Sequence, residues 1–295
     1  MVFYCIIVLV IQMEGIYLID KPEGMTSFDV IRHLRKILKT KEIGHAGTLD
    51  PMATGLLVVL VGRATKLSNL MLNKTKTYEA EVTFGFSTDT FDRMGKMTEQ
   101  ASNIQLTQKE VDIALAHIKA QTSQKPPIYS AIKVDGKKLY EYARADMEIE
   151  IADKDITIYD LHTTKPLHDL SFECMITVSK GTYIRSIAND IGVYLGVPAH
   201  LSKLRRTISG EFNIQDAYAL DFNIAPAYTL NAYAASLDKV IVEDYMKPLI
   251  KNGIRLDDRQ TTIEGPFTAV SKTGEFLAIY QKDVKDYKPI IQLGD

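Results

Sequence analysis

Residues 44–55 read G-H-A-G-T-L-D-P-M-A-T-G and bring three glycines, one imidazole and one carboxylate into a single short stretch. Glycines let the backbone take positive φ and come close to a ligand. Pro51 biases Asp50 away from the helical region and holds its carboxylate on an extended segment of loop. His45 lies five residues before it. The stretch lacks the GxxxxGK[ST] spacing of a phosphate-cradling loop. An aspartate before a proline is also an ordinary turn residue, so the chemistry depends on what a rigid scaffold brings to it.

Two further sets could supply partners. Ser179–Ser186, S-K-G-T-Y-I-R-S, places Lys180, Tyr183 and Arg185 at the start of a helix, where free amides can hold anions. From Ile176 to Phe212 there are five Lys or Arg against Asp190 and Glu211, including Lys203, Arg205 and Arg206. This is either a phosphate-binding patch or a solvated face. The third set is aromatic: Tyr78 in K-T-Y-E-A, and Tyr129, Tyr140 and Tyr142 among Lys133, Lys137, Lys138 and Arg144. Aromatic rings among cations suit stacking on unpaired bases, and tyrosines at alternating strand positions also suit a core.

The elements that must position these groups are legible from periodicity. Gly15–Asp20 reads as a strand stopped by Lys21-Pro22. Thr26 or Ser27 caps a helix with Val30, Ile31, Leu34 and Ile37/Leu38 on one face and Arg32, Arg35, Lys36 and Lys39 on the other. LLVVLVG after the Asp50 loop reads as a buried strand, and Lys76–Phe86 alternates as a half-buried one. Thr107 and Glu110 form a capping box, Asp135-Gly136 marks a hairpin, Phe172–Val178 is a strand, and Thr182–Leu195 is a helix ended by Gly196. Without a regular βαβ cadence, an α+β fold with a mixed, largely antiparallel sheet flanked by helices is expected. Residues 225–240 lose periodicity and read as a linker, and 241–295 as a small β-rich domain.

Composition sets limits. The 295 residues suffice for one large and one small domain, and 46% hydrophobic with 24% charged residues is ordinary for a globular protein. The net charge of -2 averages over both faces and hides any local basic surface. Cys5 and Cys174 are far apart and the six histidines have no paired spacing, which fits a reducing cytoplasm and leaves no disulfide framework or zinc site. The apolar stretch Met1–Gln12 is too short to span a bilayer and lacks a basic leader and cleavage site. The expectation is a non-functional extension ahead of a start at Met13, with no membrane anchor.

In this order the motifs resemble the bacterial TruB family of tRNA pseudouridine synthases. The resemblance runs through LIDKPEGMTSFDVI, GHAGTLDPMATGLL, GRATK, KTYEA, PPIYSAIKVDGKKLYEYAR, SKGTYIRSIANDIG and AHLSKLRRTISGEF, over most of residues 15–215. It implies a catalytic domain over 13–224, with a segment near 124–152 gripping the tRNA T-arm. The last residues resemble, more loosely, a PUA-type RNA-binding domain. It makes Asp50 the catalytic aspartate, Tyr78 the tyrosine that stacks on the target base, and Arg185 the aspartate's partner. His45 falls on the histidine that helps turn the nucleotide out. Lys21 and Pro22 border the active site, Tyr183 and Leu204 lie near the bound base, and Lys66, Lys180, Arg205 and Arg206 lie along the substrate. The implied reaction isomerises uridine 55 of the T-loop with no metal and no cofactor, in a protein that acts as a monomer without an obligatory protein partner. Ala46 and Thr48 are small departures inside the aspartate loop, and Met1–Gln12 has no counterpart. Two other readings use the same residues: a tRNA-binding or folding protein without chemistry, and a small-molecule hydrolase built on His45 and Asp50, for which a nucleophile or metal set is missing from the sequence.

Overall fold

A computed structural model describes residues 14–145, 147–220 and 224–294; Met1–Gln12 and the expected start at Met13 lie outside the described residues. The apolar run in β3 (Thr54–Val61) explains the centre of the fold. Leu57, Val59 and Val61 meet Tyr17 and Ile19 of β1 (Gly15–Lys21) and Val30, Ile31, Leu34 and Leu38 of α1 (Ser27–Leu38). Leu56, Val58 and Leu60 face the other way into a second cluster with Ile16 and Leu18. A strand covered on both faces has no need to alternate. Helix α1 starts in a reciprocal cap: Thr26 Oγ1 accepts from Asp29 N at 3.1 Å, and Asp29 Oδ2 from Thr26 N at 3.0 Å.

The main sheet also contains β2 (Ile43–His45), β4 (Lys76–Phe84), β5 (Ile158–His168), β6 (Ser171–Val178), β7 (Ala199–Ser209) and β8 (Tyr218–Ala219). Its order is β5-β6-β4-β7-β3-β1-β8, with β2 beside β3. Most pairings are antiparallel, as expected for an α+β fold; β1 with β8 and β7 with β3 are parallel. The β7–β3 contact sets Arg205 and Arg206 opposite Thr54 and Gly55. Gly55 is required there: its φ is +99°, and a Cβ would lie 2.3 Å from the Arg206 carbonyl oxygen. Helices α2 (Gln108–Lys119) and α3 (Ile184–Leu195) cover β4, β6 and β7 through Val111, Leu115, Ile184, Ile187 and Ile191. Between α2 and β5 the Asp135-Gly136 turn joins two-residue strands, both turn residues at positive φ (50° and 82°), ahead of a short helix, Leu139–Arg144.

The chain end forms a four-stranded sheet, β9 (Asp238–Val242) to β12 (Asp286–Gln292), through β10 (Phe267–Ser271) and β11 (Phe276–Asp283) in spatial order. The stretch expected as a linker differs from expectation. Leu230–Ser236 is a helix, α4, capped by Thr229, with Leu230, Tyr233 and Ala234 buried. These share one cluster with Leu56, Val58 and Leu60 of the main sheet and Ile279 and Ile291 of the second. Seven residues are too few for a hydrophobic period to stand out, so burial rather than pattern makes this helix. No helix among the described residues is long and apolar enough to cross a membrane.

If α4 is a core element, Leu230→Ala should lower stability by about 2–5 kcal/mol, read as a drop in the urea midpoint. A change within about 0.5 kcal/mol, typical of surface positions, would return the segment to linker status.

Candidate active site

The loop carrying Asp50 is anchored on both sides of that residue. Leu49, Met52 and Ala53 are buried in the core beneath α3. Ser27, at the start of α1, clamps Leu49 twice: its Oγ donates to Leu49 O at 3.2 Å and accepts from Leu49 N at 2.8 Å. Gly24 N donates to Pro51 O at 2.8 Å. Two buried cations bind the loop's carbonyls. Lys21 Nζ donates to Met25 O at 2.6 Å, Pro22 O at 3.0 Å and Pro51 O at 3.4 Å. Arg206 donates to Leu56 O at 2.7 Å, Gly47 O at 3.3 Å and Thr48 O at 3.4 Å. The apolar neighbours point in, the carbonyls are occupied, and the Asp50 side chain is left 36% exposed.

Facing it is Arg185, in the first turn of α3 and only 6% exposed. Its Nε donates to Asp50 Oδ2 at 2.8 Å and its Nη2 to Oδ1 at 3.3 Å, a bidentate pair. Nη1 donates to Thr90 O at 3.0 Å and Nη2 to Tyr129 O at 3.1 Å. A second carboxylate, Asp92, buried and itself held by Thr90 Oγ1 (2.8 Å) and Met94 N (2.9 Å), lies 3.8 Å from Arg185 Nε. The helix start is fixed from outside: Gln124 Oε1 accepts from Tyr183 N at 2.8 Å while its Nε2 donates to Tyr183 O at 3.1 Å.

Asp50 and Arg185 open on a cavity of about 320 Å³ that is also lined by His45, Lys76, Tyr78, Tyr183, Leu204 and Arg206. Burial, then the nearby Arg206 charge, pushes the His45 imidazole below its usual pKa, which favours the neutral ring. Burial pushes the Tyr183 phenol up. The structure thus gathers Asp50, Arg185, Tyr78, His45, Tyr183, Leu204 and Arg206 around one space. Lys21 supports it from behind, with the Pro22 carbonyl as one of its acceptors.

The basic patch is not one surface. Arg205 pairs with Asp20 at 2.7 Å and Lys203 with Glu81 at 2.7 Å, both lining a separate cavity of about 260 Å³. Arg206 is 1% exposed, a wall of the site rather than a surface contact. Lys180 is exposed with its Nζ on Asn73 Oδ1 at 2.8 Å, between cavity-lining Ser179 and Gly181. Lys66 and Pro22 are exposed and do not line the cavity. Sequence reading missed Ser27, Lys76, Asp92 and Gln124. The acids of S-T-D-T-F-D-R were visible, but two acids in a polar loop are unremarkable until an arginine is found beside them.

Sheet, helices and carboxylate–arginine cavity together define a pseudouridine synthase fold. One family model, the TruB family pseudouridylate synthase N-terminal domain, matches residues 35–184, and another, the tRNA pseudouridylate synthase B C-terminal domain, matches 185–248. The chain belongs to the TruB family. It is 43% identical over 290 residues to "tRNA pseudouridine synthase B" of Bacillus cytotoxicus and of Bacillus anthracis, covering 92% of this chain and 94% of each relative. It is 40% identical to the protein so named in Bacillus velezensis, covering 91% and 93%. Among solved structures, a chain of a Cbf5-Nop10-Gar1 complex aligns with a TM-score of 0.70 at 22% identity over 97% of this chain and 86% of that one, which speaks to the fold.

Lys21 yields a prediction with a definite sign. Burial brings its pKa from the ordinary 10.5 down to about 8, against the opposing pull of Asp50. Between those values the unfolded chain holds the extra proton, so this group's contribution to stability rises with pH and is smallest below about pH 8. The stability of wild type minus that of Lys21→Met, from urea unfolding, should climb by roughly 1 kcal/mol per pH unit between about pH 8 and about pH 10. A flat difference would mean that the buried ammonium keeps its proton.

Proposed function

We propose that this protein isomerises uridine 55 in the T-loop of tRNA to pseudouridine, with Asp50 as the catalytic carboxylate. The observation that carries the reading is the Asp50 carboxylate, gripped at 2.8 and 3.3 Å by a buried arginine and opening on a nucleoside-sized cavity beside Tyr78. The substrate class comes from the relatives named tRNA pseudouridine synthase B.

The reaction breaks the bond from N1 of uracil to C1′, turns the detached base, and forms a bond from C5 to C1′. The hydrogen on C5 leaves as a proton and N1 gains one, so atoms and electrons balance within the nucleotide. Asp50 acts on the sugar side, either by attack at C1′ or by removing the C2′ proton, and both roles need the ionised carboxylate that Arg185 pairs with. Arg185 is in turn held by two carbonyls, with Asp92 nearby, so it cannot swing away with the substrate. A base in a folded loop must leave its stack, at a cost of a few kcal/mol; stacking against Tyr78 returns roughly 1–3 kcal/mol. His45, at the cavity wall, fits a role in holding the nucleotide out of the loop. The segment near 124–152 offers Tyr140, flanked by the Lys138 ammonium and Arg144 guanidinium at 5.3 Å, as a grip for the T-arm. The C-terminal sheet is assigned a PUA-like RNA-binding role, and the chain is assigned to act as a monomer in the cytoplasm.

Asp50→Asn should abolish tritium release from tRNA labelled at C5 of uridine while leaving tRNA binding within about two-fold, since the change is isosteric. Turnover near the wild-type rate would remove Asp50 from catalysis, and normal tRNA handling in cells without modification would favour a purely RNA-folding protein. Tyr78→Phe should keep base capture, whereas Tyr78→Leu should weaken it by about 1–3 kcal/mol; equal behaviour of both variants and wild type would end the stacking role.

A further inference from the structure

Three cations of the cavity region have no carboxylate partner among the described residues. Lys76 and Arg206 line the space and are 6% and 1% exposed. Lys180 stands at its rim, close enough to add to the charge that Lys76 feels. Lys203 and Arg205, on the same strand as Arg206, each hold an acid, but Lys76, Arg206 and Lys180 form no ion pair among the described residues. They rest on neutral oxygens instead. Lys76 Nζ donates to Lys74 O at 2.6 Å and Leu72 O at 2.8 Å, leaving one N–H of three. Arg206 spends three of its five N–H groups on backbone carbonyls. Lys180 spends one on Asn73. Burying cations without a counter-ion is unfavourable. Burial, reinforced by Arg206 and Lys180, lowers the Lys76 pKa to about 8. Two buried cations that rest on carbonyl oxygens alone are suited to an anion.

We propose that Lys76, Arg206 and Lys180 form a phosphate subsite that holds a backbone phosphate adjoining the nucleotide in the Asp50 cavity. This rests on the reading of the cavity as a nucleotide pocket. It also answers a charge problem within that reading. Asp50 must meet the sugar as an anion, and a phosphate close to the same sugar is a second one. Arg185 is committed to Asp50, so the second anion needs cations of its own; Lys76 and Arg206 line the same cavity and Lys180 stands at its rim. Phosphate contacts of this kind set the register of a nucleic acid without reading its sequence.

The test replaces single phosphates around the target uridine of a T-arm stem-loop by neutral methylphosphonates, with binding and tritium release measured for wild type, Lys76→Met and Lys180→Met. One position should weaken wild-type binding about ten-fold. Lys76→Met should bind the unmodified stem-loop about ten-fold less tightly and lose less than a further two-fold or so at that position, since contact and contact partner do not add. Lys180→Met, an exposed change that leaves the core intact, should show the same non-additivity with a smaller loss. Full additivity at every position would overturn the subsite, as would a flat methylphosphonate profile in wild type, which needs no variant to fold. If wild type bound but failed to convert the unmodified stem-loop, the T-loop reading would fall with it, an outcome distinct from conversion with additive losses.

Discussion

An arginine buried to 6% exposure faces an aspartate that is one-third exposed, and this asymmetry organises the protein. A guanidinium removed from water needs its N–H groups occupied and its charge balanced. Arg185 meets both needs with the Asp50 carboxylate, the carbonyls of Thr90 and Tyr129, and Asp92 nearby. Asp50 keeps part of its surface free for substrate. The arrangement therefore requires four stretches, around residues 50, 90, 129 and 185, to be held in register at once, and most of the surrounding fold does that.

The Asp50 loop is held largely by cations on carbonyl oxygens. Lys21 and Arg206 are fully buried and bind Pro51, Gly47, Thr48 and Leu56 rather than acids. Neutral acceptors leave the guanidinium charge uncancelled, so Arg206, which also lines the cavity, gives that space a positive character. A carboxylate in their place would have neutralised it. In Arg206, positioning and electrostatics come from one side chain at the wall of a cavity of about 320 Å³.

The second sheet is not a loosely tethered module. Helix α4 places Leu230, Tyr233 and Ala234 in one cluster with β3, and β11 and β12 add Ile279 and Ile291. Strand β3 is the strand that follows the Asp50 loop, and its other face packs on α1, whose first residue clamps Leu49. The Asp50 loop and the C-terminal sheet thus share a strand as common support.

Much of this was legible from local signals. The capping boxes at Thr26 and Thr107, the Asp135-Gly136 turn, the Gly196 stop, the period of α1 and α3 and the alternation of β4 and β6 each depend on residues a few positions apart, and motif order located Asp50, Tyr78 and Arg185. What the chain alone did not disclose involves distant partners. Helix α4 is too short for a period to declare it. The three cations of β7 separate in space because a strand sends neighbouring side chains to opposite faces: Lys203 and Arg205 find acids on β4 and β1, while Arg206 turns into the cavity wall. Asp92 and Gln124 read as ordinary polar residues until the sheet brings them to Arg185 and Tyr183. The sequence by itself determined which elements form and which carboxylate is the candidate. Only the tertiary structure decided which charges are paired, which are buried, and which remain to meet a ligand, because those depend on distances between residues up to 185 positions apart in the chain.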